Sequence, residues 1–356
     1  MTATGARPVP DPIADRPAAE DPITAELLDL AAAMANRLRL VGYVACAALV
    51  LSAVPTVINL STGDLGGAAP WALLVLSQAV LLWYAYRPAG HRSWAAAAAV
   101  AMDRSPWRPV RARLVRAGRL SAVVEVADGA GFAPVRVLLF TRAHQVMVNR
   151  VGTVWLVGPE RGWSFLRVAG SHSFFPARPL RHSPGGTPVA AVEEHEVTRG
   201  VARTLRSLTL LPTLQIPLMV PVSYLASIPI GALDWWPIAA TSTALAVVGV
   251  LVPLRLKWGN VRLPAMVDDG PWVRVPAHVT PWRVRPDGTA TATVALHFDD
   301  GAKRTATLPA AGVDVLGAIW STGSLWFIGS PDPGKTVAAG FPGCPLLAFA
   351  KIGPDR

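Results

Sequence analysis

The sequence predicts an α-helical membrane protein, with four transmembrane helices in two hairpins and two repeated small all-β modules on the cytoplasmic side. Three observations predict it. Charged residues make up 16% of the chain and hydrophobic ones 52%, whereas soluble domains average about 25% charged. Four stretches carry no charged residue over lengths that suit a bilayer span of roughly 20 residues. Short motifs recur in the same order after each pair of those stretches, as a duplicated unit would produce.

Residues 1–22 read as a disordered acidic leader. Pro8, Pro10, Pro12, Pro17 and Pro22 fall in it, and residues 1–36 hold two Arg against six Asp and Glu, a composition that buries too little apolar surface to fold by itself. The basic start and apolar core of a secretory signal are missing. Residues 23–39 are expected to form a juxtamembrane helix, with Asp21 or Thr24 as its N-cap.

The first hairpin is expected over 40–86, with helices at 40–60 and 67–86, and the second over 208–254, with helices at 208–233 and 235–254. Arg37, Arg39, Arg87 and Arg92 flank the first. Arg199, Arg203, Arg206, Arg255, Lys257 and Arg262 flank the second. The turns inside the hairpins hold Asp64 and Asp234 but no Lys or Arg. Basic residues are retained on the cytoplasmic face, so the expected localisation is the cell membrane, multi-pass, with both termini cytoplasmic. The bias toward Arg, Ala, Pro and Gly is that of a GC-rich bacterial genome. Pro212, Pro217, Pro221 and Pro229 each remove a backbone donor from the third span and predict a kink there.

The β modules are placed at 104–180 and 265–350, with a linker and helix over 181–207. Trp107 ends one copy of a shared motif (MDRSPW) and Trp272 the other (VDDGPW). Asp128-Gly129 matches Asp300-Gly301, GTVWLVG at 152–158 matches GSLWFIG at 323–329, and Gly170 matches Gly340. Alternating residues on either side of an Asp-Gly pair predict a hairpin in each copy. The repeat predicts that Trp155 superposes on Trp326 and Asp128 on Asp300, with both tryptophans in a core.

No catalytic, cofactor or metal site is predicted. Residues 329–336 fit the letters of a phosphate loop, ending in Gly334, Lys335 and Thr336. That chemistry needs a helix N-terminus after the loop, and Gly340, Pro342, Gly343 and Pro345 follow instead. Glu193, Glu194, His195 and Glu196 read as a solvated helix face. His91, His144, His172, His182, His278 and His297 show no ligand spacing, and Ser171, His172 and Ser173 are merely adjacent. Cys46 and Cys344 make neither a disulfide framework nor a zinc site.

Residues 87–207 carry 18 basic and 7 acidic side chains, against 11 and 8 over 255–356. The expected partners are a membrane or cytoplasmic protein and an anionic lipid surface, with no nucleic acid and no nucleotide. The function expected is a non-enzymatic, membrane-anchored scaffold or interaction protein of the bacterial inner membrane. The alternative is a small-solute or lipid transporter that uses the proline-rich third span.

Overall fold

The computed structural model describes residues 10–64, 72, 75, 76, 79, 89–129, 131–183, 195–210, 235–285 and 287–354. The chain forms two compact units, one from Met1–Ala31, Trp94–Ser207 and Gly259–Arg356, the other from Ala32–Ser93 and Leu208–Trp258.

In chain order, helices α1 (Pro22–Ser61) and α2 (Ala89–Arg104) come first. Strands β1 (Arg108–Arg116), β2 (Ser121–Asp128) and β3 (Gly131–Leu138) follow, then helix α3 (Arg142–Val151) and strands β4 (Thr153–Glu160), β5 (Trp163–Val168) and β6 (Phe174–Pro179). Helix α4 covers 195–210, and α5 covers Trp235–Met266. The second β set is β7 (Trp272–Val279), β8 (Arg283–Val284), β9 (Thr289–His297), β10 (Lys303–Gly312), helix α6 (Val313–Thr322), β11 (Ser324–Ile328), β12 (Thr336–Gly340) and β13 (Leu347–Ile352).

Each β set closes into a six-stranded barrel. The first runs β1-β2-β3-β6-β5-β4 and back to β1. The second runs β7-β9-β10-β13-β12-β11 and back to β7, with β8 appended to β9. Alternation along each strand decides which side chains fill the barrel. Val124, Val126, Val135, Val137, Val154, Leu166 and Phe175 point into the first, under α3. The second is filled by many alanines, among them Ala290, Ala292, Ala306, Ala339 and Ala348, together with larger residues such as Leu296, Leu308 and Phe327.

The four-span fold class is corrected, and with it the membrane assignment and the multi-pass cell-membrane localisation. Among the described residues, no helix is long and apolar enough to cross a membrane. An uncharged stretch measures composition and does not mark the ends of an element. Helix α1 starts at Pro22 and runs unbroken through Glu26, Asp29, Arg37 and Arg39, while α5 runs past Arg255 and, across a kink at Lys257 (φ −109°, ψ 15°), past Arg262 to Met266. The expected spans at 67–86 and 208–233 lie outside the described residues except for 72, 75, 76, 79 and 208–210, and so do the four prolines of the third.

The modules are not all-β either, because each carries a helix between its third and fourth strands. Those helices also reveal the duplication in detail. Helix α3 ends at Gly152 (φ 68°) and α6 at Gly323 (φ 60°), left-handed C-caps that glycine adopts without steric cost. The Gly152 carbonyl then accepts from Ala112 N–H and the Gly323 carbonyl from Ala277 N–H, each at 2.9 Å.

Strand register tests the expected pairs one by one. Trp155 pairs with Pro109 and Trp326 with Arg274, each two residues beyond the matched Trp107 and Trp272, so the tryptophans are equivalent. They are half-buried and not core residues, since Val154, Leu325 and Phe327 take the inward positions. Asp128 is not equivalent to Asp300. Its cross-strand partner is Gly131, and the position matching it in the second barrel is Phe298, because that turn is one residue longer. Nor does Gly170 match Gly340. Arg167 faces Trp155 where Gly340 faces Trp326, the second hairpin being longer by two residues.

The start of α1 lies on the second barrel. An added Cβ on Gly317 of α6 would come within 2.9 Å of Ile23, and Trp282 Nε1 donates to Glu26 at 3.2 Å. Residues 10–21, expected to belong to a disordered leader, are ordered here: Ala18 is buried and donates its N–H to the Ser105 carbonyl at 3.1 Å.

Candidate functional site

The barrels meet through corresponding parts. Helix α6 of the second touches the β5–β6 turn of the first, and α3 of the first touches the β12–β13 turn of the second, where Arg150 donates to the Gly343 carbonyl at 3.2 Å. This is the self-complementary geometry of a two-fold pair, built within one chain. The apolar part of the seam holds Ala143, Val146, Ala310, Ala338 and Leu347. A Cβ on Gly170 would lie 2.9 Å from Cys344 Sγ, so only glycine fits at that crossing.

Polar groups gather at the other contact. Asp314 stands in the first turn of α6, where the helix dipole favours a carboxylate. It accepts from Ser171 Oγ at 2.5 Å, from Ser173 Oγ at 2.8 Å and from the His172 backbone N–H. Both hydroxyls that adjoin the imidazole in sequence are thereby turned onto one carboxylate, away from the ring.

Arg167 projects outward from β5 and is 2% exposed. Burying a guanidinium is costly unless every face is answered. Nε donates to the Ser171 carbonyl at 2.7 Å, Nη2 reaches the Pro10 carbonyl at 3.5 Å, and Nη1 lies 3.6 Å from Asp21. Nη2 is also 3.2 Å from His172 Nδ1. An arginine only donates, so Nδ1 is the acceptor and the ring proton is assigned to Nε2. Asp21 is the N-cap of α1, accepting from Thr24 N at 3.3 Å and Thr24 Oγ1 at 2.6 Å, with Pro22 in the favoured first helical position. Burial pushes the Asp21 carboxyl upward, but the Thr24 hydrogen bonds and the Arg167 charge outweigh it and hold the group well below the usual carboxylate range.

His144 lies beside this cluster, its ring 4.6 Å from that of Phe175 and its Nδ1 2.7 Å from Thr141 Oγ1. Burial lowers its pKa to about 4, against a smaller opposing pull from Asp314. The unfolded chain therefore binds a proton more readily than the folded one as pH falls from about 6.5 to 4, and stability drops over that window. The half-buried ring keeps some solvent screening, so the loss is roughly 2 kcal/mol. His144→Phe, which keeps an aromatic ring against Phe140 and Phe175, is expected to remove that slope. Urea midpoints at about pH 7 and 4.5 measure it, and equal slopes in both proteins would refute the assignment.

The other predicted candidates do not join this site. Residues 329–335 connect β11 to β12, Lys335 is tied to Asp332 at 2.6 Å, and a strand follows where a phosphate loop requires a helix. Glu193 and Glu194 lie outside the described residues. His195 pairs with Asp268 at 3.4 Å, alongside Arg199 at 2.8 Å. Cys46 and Cys344 form no disulfide, and among the described residues no group of His, Cys, Asp and Glu could hold a metal. Asp21, Arg167 and Asp314, which organise the seam, are separated by more than a hundred residues at each step, and no local pattern joins them. The sequence cues were the expected Asp21 or Thr24 cap and the polar Ser-His-Ser turn inside a β module.

No family model, curated protein or solved structure matches the chain.

Proposed function

We propose that this is a non-enzymatic interaction protein whose first barrel binds an acidic face of a protein partner. The observation that carries the reading is a like-charge pair on the outer wall. Arg136 of β3 and Arg178 of β6 sit directly opposite each other, both exposed, an arrangement that costs stability in an antiparallel sheet. Such a cost is retained where the charges have a use. Arg111 extends the wall on β1, Arg178 lies 3.9 Å over Trp163, and Arg113, ion-paired to Glu125 at 2.6 Å, lies 4.7 Å over the Phe132 ring. Arginine mixed with aromatic rings is the composition favoured at protein interfaces.

Affinity purification of the full chain tests this against an Arg111→Glu/Arg136→Glu/Arg178→Glu variant. The wild type should recover an acidic protein that the variant loses by about tenfold or more. Arg136→Glu alone should stabilise the free protein by roughly 0.5 kcal/mol, as it turns repulsion into attraction. Recovery of the same proteins by the variant, or recovery that depends on nucleic acid and vanishes with nuclease, overturns the reading.

A further inference from the structure

We infer that the groove beneath the N-terminal segment is a recognition site for proline-rich peptides, and that the chain's own residues 10–17 occupy it as a weak, exchangeable ligand. This goes beyond the partner reading above and uses different residues.

The segment reads PDPIADRP and meets the body at its ends. The Pro10 carbonyl accepts from Arg167 at 3.5 Å, and Ala18 N–H donates to the Ser105 carbonyl at 3.1 Å. Pro17 has φ −51° and ψ 139°, close to the polyproline II conformation. Between these anchors the segment underfills its groove, leaving a cavity of about 210 Å³ lined by Pro12, Ile13 and Pro17 on one side and Trp107, His172 and Trp320 on the other.

Trp107 is 1% exposed and His172 3%, yet Trp107 Nε1 and His172 Nε2 have no hydrogen-bond partner among the described residues. A buried indole N–H usually finds an acceptor. Here Nε2 carries the imidazole proton, so both groups are donors, and both belong to residues lining one cavity. What they lack is carbonyl oxygen. The charges alongside compensate each other, Arg167 against Asp21 at 3.6 Å, so a neutral acceptor suits the site better than an anion. Trp320, 54% exposed, offers a further aromatic face at the mouth.

A proline-rich segment supplies what is missing. Its rings pack on aromatic faces, its conformation is preformed at low entropic cost, and its carbonyls are free because polyproline II makes no internal hydrogen bonds. The resident segment supplies prolines but places no carbonyl on either donor. A partner peptide that reaches both donors would therefore displace it.

The test uses the full chain and a fluorescent peptide of residues 10–20 (PDPIADRPAAE) added in trans. In Pro12→Ser/Ile13→Ser/Pro17→Ser the resident segment competes less, so the peptide should bind about tenfold or more tighter than to wild type. Adding Trp320→Ala to that variant should weaken binding by about fivefold. In wild type, a decaproline peptide at high concentration, whose carbonyls can reach the donors that the resident segment leaves unanswered, should shift saturably the Trp107 indole N–H resonance, assigned by its loss in Trp107→Phe, which needs no loosened variant to fold. Equal affinity in both proteins, absence of binding, an unmoved Trp107 resonance, or equal binding of a peptide with its prolines changed to alanine would each overturn the inference. Loss of peptide binding with the arginine-wall partner still recovered would sink this inference alone.

Discussion

Asp314→Ala is expected to lower the unfolding free energy by roughly 3 kcal/mol or more, because three donors converge on that carboxylate and each, left without an acceptor in a partly closed seam, costs about 1–3 kcal/mol. Asp314→Asn keeps the shape and one acceptor oxygen, so it should fall between wild type and alanine. The bond joins α6 of the second barrel to the β5–β6 turn of the first, so its loss should also uncouple their unfolding. In wild type, tryptophan fluorescence and far-ultraviolet dichroism should follow one urea transition, and in Asp314→Ala they should separate. A midpoint within about 0.5 kcal/mol of wild type, with coincident transitions, would show that the apolar seam alone holds the barrels.

Arg167→Met should cost about 3–5 kcal/mol, since removing one partner of a buried charge pair leaves the other unanswered. Asp21 would keep its charge without its cation, and the Ser171 and Pro10 carbonyls would lose their donor. The double variant Arg167→Met/Asp21→Asn separates the electrostatic loss from the packing loss. It should be more stable than the sum of its single variants predicts, by about 1 kcal/mol or more. Strict additivity would mean that Asp21 acts only as a helix cap. The positions of Pro10 and Asp21 also imply that Arg167→Met frees the N-terminal segment, which faster proteolysis ahead of Pro22 would register.

The repeat was legible because its matches depend on local residues with fixed conformational jobs. Gly152 and Gly323 end equivalent helices in the left-handed region, and no side-chain chemistry elsewhere in the chain can supply that. The matched Trp107 and Trp272 likewise mark the entrance to equivalent strands. The same reading erred wherever loop length changed the count. Asp128 and Asp300 share a dipeptide, but one lies at the end of a strand and the other inside a longer turn. Register is set by cross-strand hydrogen bonds, and a single added residue moves every later equivalence.

The membrane reading erred for a related reason. Hydropathy counts what a stretch contains, while α1 joins an uncharged stretch to a charged one in a continuous helix and α5 does so across a kink at Lys257. The Ser171-His172-Ser173 turn carries no local sign of its role, because the carboxylate that gives it meaning stands 141 to 143 residues away.

By itself the sequence determined the Asp-Gly hairpin turns and the fact of duplication, and narrowed the cap of α1 to Asp21 or Thr24, all of which rest on contacts within a few residues. Only the tertiary structure decided that each module closes into a barrel with a helix packed on it, that the two barrels meet as a pseudo-symmetric pair, and that residues 10–17 lie over Trp107 and His172. Those outcomes depend on which surfaces bury one another, and burial couples residues whatever their separation along the chain.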